Sequence, residues 1–434
     1  MNILLTGGQI LTMAGEEAEV LSTDLGIVND RIAFIGSPPS DFRADKTVDA
    51  SDTLLMPGLI NAHTHVSMSL LRSYADDLPF WDWLFGRIMP VEEKIESDDA
   101  YYGAQLSILE MIRSGTTTFA DMYFFMDRVA QAVEESGIRA NLSRGVTFMQ
   151  GDKDLDKLTE AEEFYNNWNG KADGRIRVDI APHAPYTCPP TYLKKCSELA
   201  LKLNCNIHIH LSESRKEVED SLSEHGQSPI AHVDGLGLFE SRTYGAHCVH
   251  VSDKDIALMA AKGVTAVNNP TSNLKLANGF APVKKLLDAG VNVALGTDGP
   301  GCNNNTNMFE EINLAGLINK GITEDPTVIP AYKALQMATV NGARALGLED
   351  ETGTLETGKK ADLILIDLNK AHFIPRYNLV SSMVYAAQGS DVKTVICNGR
   401  ILMEDYRVLT LDEQTILKNA AASASRMTAE EENS

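Results

Sequence analysis

The sequence predicts an α/β protein: a closed (β/α)8 barrel of the TIM type carrying a small β-sandwich built from both ends of the chain. Two observations predict the barrel. Eight apolar, strand-like runs alternate with helical stretches through the middle of the chain, a pattern that forms parallel sheets. Chemistry-bearing residues sit where those runs end, and a parallel barrel gathers its active site at the C-terminal ends of its strands. A third observation sets the ends apart: before residue 57 and after about residue 355 the texture is short strands joined by turns.

In chain order, Asn2–Leu11 and Leu25–Gly36 are strand-like, the latter broken at Asn29-Asp30. The eight barrel candidates are Leu54–Ala62, Thr116–Met122, Arg139–Val146, Ile176–Pro182, Asn206–Leu211, Thr243–Val249, Val264–Asn268 and Val291–Gly296. Helical stretches between them include Ala100–Ser114, Arg128–Ser136, Thr191–Leu203 and Ala281–Ala289. An open doubly wound sheet is the alternative arrangement of such a series. Ala361–Asp367 is a strand, and Lys393–Asp405 is a hairpin around Asn398-Gly399, a strong two-residue turn signal. The expected division is 1–56 and 355–434 for the small β domain, the latter ending in a polar tail, with 57–354 as the barrel.

The 434 residues are enough for both units, and 44% hydrophobic with 23% charged residues is ordinary for a globular protein. A net charge of −22 argues against nucleic acid or an anionic membrane as partner. The six cysteines form no C-x-x-C pair, which fits thiols in a reducing compartment. Met1–Gly7 lacks the basic start of a signal peptide, and no apolar run is long enough to span a bilayer. A cytoplasmic enzyme acting on a small molecule, with homo-oligomers allowed, is the expectation.

His63 and His65 close the first run at i and i+2, so both imidazoles face one point, as two ligands of one metal must. Surface histidines at a strand end are the bland alternative. His208 and His210 repeat the spacing on the fifth run; His210, nearer the strand end and three residues before Glu213, is the candidate ligand, and His208 is a hydrogen-bonded core histidine. Asp298, after Val293–Gly296 and Thr297, can bind metal with one oxygen and accept a proton with the other, or else cap the following turn. Glu213 can hold or relay a proton in a closed pocket, or simply start a helix. His247 is a fourth ligand or an orienting group, and His250 is structural. Seven of the ten histidines fall at or near these strand ends. The fourth run, Arg175 to His183, contains no lysine to bridge two metals, which argues for one. Three nitrogens and a carboxylate suit Zn²⁺, with Fe²⁺ as a substitute.

These motifs, Pro57–His65, His208–Glu213, Ala246–His250 and Gly296–Gly299, with Gly353–Leu363 near the C-terminus, resemble the amidohydrolase superfamily over nearly the whole chain, in particular its single-metal deaminases. Finer segments, Leu78–Leu84, Pro90–Glu92, Pro182–Cys188 and Asn268–Leu276, are similar to the 5′-methylthioadenosine/S-adenosylhomocysteine deaminases. The resemblance implies zinc on His63, His65, His210 and Asp298. It implies substrate contacts from Glu92, Arg144, His183 and Glu213, with Glu92 accepting from the ribose hydroxyls. The family often carries a second arginine shortly after Arg144; here the stretch is Met149-Gln150-Gly151-Asp152, which argues against tight recognition of a homocysteine carboxylate. Trp81 and Trp83 either wall the 5′-thioether end or pack beneath a loop. The H-x-E and P-C-x-x-C signature of the other zinc deaminases is missing.

The reaction implied is hydrolysis of the 6-amino group of an adenosine derivative (methylthioadenosine, adenosylhomocysteine or adenosine) to the inosine analogue and ammonia, a hydrolysis at a cyclic amidine C–N bond. Asp298 is the base, Glu213 protonates N1, and His247 steadies the attacking oxygen. Guanine-type deaminases and s-triazine hydrolases share such a site and are the nearest rivals. A catalytically inactive scaffold on the same barrel is the rival of another class, though it would be expected to lose ligands that are all present here.

Overall fold

The computed structural model describes residues 1–148 and 156–429. Eight parallel barrel strands are present. They are Leu59–Thr64, Thr116–Tyr123, Arg139–Val146, Ile176–Val178 continued by Ala181–Pro182, Ile207–Leu211, Thr243–His247, Thr265–Asn268 and Val293–Leu295. The first four pair in order, as do the last four. A bridge between Ile180 and Ile207 joins the halves, and the Asp298 N–H donates to the His63 carbonyl at 3.0 Å where the last strand meets the first. The fold is therefore the expected (β/α)8 barrel. The first, second and fifth strands are buried along their whole length, their polar residues included, as strands covered on both faces are.

The run Leu54–Ala62, expected as one strand, is two. Thr53–Pro57 lies between Leu363–Asp367 and Gln9–Leu11 in a seven-stranded sheet made from both termini, while Leu59–Thr64 opens the barrel. Gly58 is the break. A Cβ there would stand 2.1 Å from Thr117 Oγ1, so no larger residue fits where the chain passes between the two units. Asn2–Leu11 is likewise two strands: Asn2–Thr6 belongs to a second, four-stranded sheet. A separate core including Ile3, Leu5, Ile10, Leu55, Leu363 and Ile396 fills the space between the sheets. The hairpin around Asn398-Gly399 pairs Cys397 with Arg400, and both turn residues have positive φ, at 50° and 71°, as a type I′ turn requires.

Where a polar tail was expected, Glu413–Thr428 is a helix. It buries Ile416, Ala420, Ser423 and Met427 against the barrel helix Ser97–Arg113, and Arg426 pairs with Asp99. Third-strand Arg139 and sandwich residue Asp362 form another link, buried at 1% exposure each. Arg139 Nε donates to Asp362 Oδ2 at 2.8 Å and a second guanidinium nitrogen to Oδ1 at 3.2 Å. Among the described residues no helix is long and apolar enough to cross a membrane. All six cysteines are free, five of them buried.

Candidate active site

A cavity opens at the C-terminal ends of the strands and takes in His65, His210, Glu213, His247 and Asp298. The local backbone is unusual. Ser212, His247 and Asp298 have φ of 50°, 73° and 64°, a left-handed conformation uncommon outside glycine and asparagine, and one that recurs at functional sites. Gly296 lets the last strand approach the first, because a Cβ there would lie 2.8 Å from the His63 nitrogen.

His65 and His210 each donate from Nδ1 to a backbone carbonyl, His65 to Met122 at 2.6 Å and His210 to His183 at 2.7 Å. A carbonyl can only accept, so in the neutral rings both Nε2 atoms carry lone pairs. Those atoms are 3.2 Å apart, an arrangement that a cation between them relieves. His63 Nε2 is buried with no partner among the described residues. Asp298 Oδ1 is 3.4 Å from His63 Nε2 and from His65 Nε2. Three imidazoles and a carboxylate, orphaned inward and fixed from behind, fit a divalent metal ion. The alternative trio His63, His210 and His247 has similar spacing. Burial pushes His63 down to about 4, so its ring is neutral and able to ligate at physiological pH.

Behind His63, His208 Nε2 lies 2.7 Å from its Nδ1, and the His208 ring stacks on Tyr244. This agrees with the core role expected of His208. His247 Nδ1 donates to Asn273 Oδ1 at 2.9 Å. Its Nε2 stands 3.7 Å from Glu213 Oε2 and 3.8 Å from Asp298 Oδ2. The two carboxyls around it are driven apart. Burial, reinforced by the charge on Asp298, raises Glu213 well above the carboxylate range. Burial also works to raise Asp298, but the imidazoles of His63, His247 and His65 gathered around it hold it well below that range. Two carboxyls pushed in opposite directions make an acid and a base.

Glu213 is held at both its carboxylate and its backbone. Asn278 Nδ2 donates to its Oε1 at 2.9 Å, and His250 Nε2 fixes the Asn278 carbonyl at 2.7 Å. Glu217, which sequence reasoning missed, accepts the backbone N–H groups of Ser212 at 2.9 Å and Glu213 at 2.7 Å. Its signal was the capping-box spacing Ser214-Arg215-Lys216-Glu217: the Ser214 hydroxyl does accept the Glu217 N–H, while the Glu217 carboxylate reaches past the cap to the active-site turn.

Glu92, His183 and Trp83 also line the cavity. His183 Nδ1 lies 3.0 Å from Thr187 Oγ1. Two predicted contacts stand elsewhere. Trp81 packs outside the cavity against Phe85 and Tyr186, with Lys216 over its ring. Arg144, instead of lining this cavity, pairs with Glu160 at 2.9 Å and donates to the Gly145 carbonyl, facing a neighbouring surface hollow. The stretch Met149–Asp152, where a second arginine was sought, lies outside the described residues.

A (β/α)8 barrel whose strand ends offer histidines and an aspartate to a divalent metal defines a class of metal-dependent hydrolases, and the chain belongs to the amidohydrolase family, whose model matches residues 54–402. Its branch is that of the 5-methylthioadenosine/S-adenosylhomocysteine deaminases: the protein of that name from Thermoanaerobacter pseudethanolicus is 51% identical over 98% of this chain and 99% of its own. Among solved structures, an adenosine deaminase from Xanthomonas campestris with bound zinc superposes with a TM-score of 0.94 at 36% identity, covering 98% of both chains. Atrazine chlorohydrolase from Arthrobacter aurescens, complexed with zinc, shares the fold, with a TM-score of 0.90 at 24% identity over 97% of this chain and all of that one.

Proposed function

We propose that this protein is a hydrolytic deaminase of adenosine derivatives, 5′-methylthioadenosine and S-adenosylhomocysteine among them, using zinc held by His63, His65, His210 and Asp298. The observation that carries the reading is the pair of carboxyls, Asp298 low and Glu213 high, facing one imidazole. The names of the relatives at half identity support the substrate class.

A divalent ion held by His63, His65, His210 and Asp298 would supply an acidified water. Asp298 accepts a proton from that water as its oxygen bonds to C6. Glu213, its pKa raised well above the carboxylate range by burial and the Asp298 charge, delivers its proton to N1, so that the ring takes up the electron pair. His247, its Nδ1–H committed to Asn273, accepts a hydrogen bond from the attacking water at Nε2 and so orients it. Asp298 then passes its proton to the amino group, the C6–N bond breaks and ammonia leaves; the proton of the C6 hydroxyl returns to the Glu213 carboxylate, which leaves a carbonyl at C6 and restores the acid. Glu213 must be protonated to act, and its pKa is raised. Activity is therefore present below that pKa and falls as pH rises through it, so kcat followed against pH should decline on the alkaline side.

The test is a panel of adenosine derivatives, guanine and an s-triazine, followed by absorbance, with metal content measured alongside. Adenosine derivatives should be converted. Glu92→Ala should raise KM for the nucleosides about tenfold or more, the worth of hydrogen bonds to a charged group, and barely change any activity on free bases. Equal effects on both would sink the nucleoside assignment. Less than about half an equivalent of metal, as a rough threshold, with no activity on adding Zn²⁺, would favour an inactive scaffold.

A further inference from the structure

Glu92 does not come from the barrel. It ends the short helix Met89–Glu92, in the connection between the first and second strands. Its carboxylate has one protein hydrogen bond among the described residues: the Tyr123 hydroxyl donates to Oε1 at 2.5 Å. Tyr123 is the last residue of the second strand, 4% exposed, and lines the cavity beside Glu92. The residue before it, Met122, presents the carbonyl that orients His65. One strand end thus sets both a metal ligand and the carboxylate facing the substrate.

We propose that Tyr123 is a positioning residue: its hydroxyl occupies one oxygen of Glu92 and aims the other at a vicinal diol, so that Tyr123 sets the preference for ribosides over 2′-deoxyribosides. The inference rests on the nucleoside reading above. With Oε1 taken, Oε2 is left to accept from two adjacent hydroxyls. The phenol keeps its proton and so is able to donate it, because burial and the Glu92 charge raise its own pKa well above the usual tyrosine value. Burial pushes Glu92 up to about 7, and the Tyr123 hydroxyl works against that rise. Without the phenol, Glu92 would lose both its anchor and part of its charge near neutral pH, and a neutral carboxyl accepts more weakly.

The experiment compares 5′-methylthioadenosine with its 2′-deoxy counterpart on the zinc-loaded protein. Tyr123→Phe keeps the ring and removes only the hydroxyl. The riboside-to-deoxyriboside ratio of kcat/KM should fall about tenfold or more, the loss residing in KM. Added to Glu92→Gln, Tyr123→Phe should change that ratio no further. In the wild type, riboside KM should rise as pH falls through about 7, and Tyr123→Phe should move that inflection upward. Equal losses on both substrates, an unchanged ratio or an unmoved inflection would overturn the inference while leaving the deaminase reading intact. A wild-type protein inert toward 5′-methylthioadenosine would overturn the reading itself.

Discussion

Asp298→Asn is expected to lower kcat/KM by at least about 10³-fold, the scale on which a general base contributes, while the protein stays folded. Asparagine tolerates the positive φ of 64° at this position, and its oxygen can still accept from the Ser272 hydroxyl, now 2.6 Å from Oδ2. The amide, however, carries no charge and cannot take up a proton. Both functions assigned to Asp298 go together: the pull on the metal between His63 and His65, and acceptance of the water proton. Zinc per chain after dialysis should fall along with kcat. Activity within tenfold of wild type, as a rough bound, would remove Asp298 from the chemistry.

Arg139→Ala is expected to destabilise the fold by about 3–5 kcal/mol, measured by urea unfolding, because it strands the Asp362 carboxylate in the interior. Asp362 also accepts the Asn398 N–H at 2.6 Å, so the loss reaches the hairpin turn. Replacing the pair together, as Arg139→Met with Asp362→Leu, should recover part of that stability, since two apolar side chains leave no unpaired charge. If the double variant is no better than Arg139→Ala, the destabilisation comes from lost packing. The active site, at the opposite ends of the strands, should keep its metal in both.

The barrel was legible in the sequence because buried parallel strands are continuous apolar runs, and the polar residue that ends each run marks its C-terminal edge. The same continuity hid the break at Gly58: an apolar run that changes sheets looks like one that does not. Ile416, Ala420, Ser423 and Met427 follow a helical period, but two of the four are small and one is polar, so the C-terminal helix looked like a tail. In the site, residues on strand ends were visible one by one. Glu217 and Tyr123 were not, since each acts through a contact with another residue: Glu217 on backbone four and five residues back, Tyr123 on a carboxylate 31 positions away. Trp81 and Arg144 show the converse. A residue type suited to a substrate does not reveal which way its side chain faces, and here a stacked ring and an ion pair turn both elsewhere.

The seam between Thr53–Pro57 and Leu363–Asp367 has a consequence for synthesis. A nascent chain on the ribosome exposes Leu54, Leu55 and Met56 as an open strand edge until some three hundred further residues, the whole barrel among them, have been translated. At ordinary elongation rates that is roughly 15–60 s, long enough for an unpaired apolar edge to meet another chain. Holdase chaperones would have their main task in that interval, and truncated chains ending before Leu363 should collect in inclusion bodies.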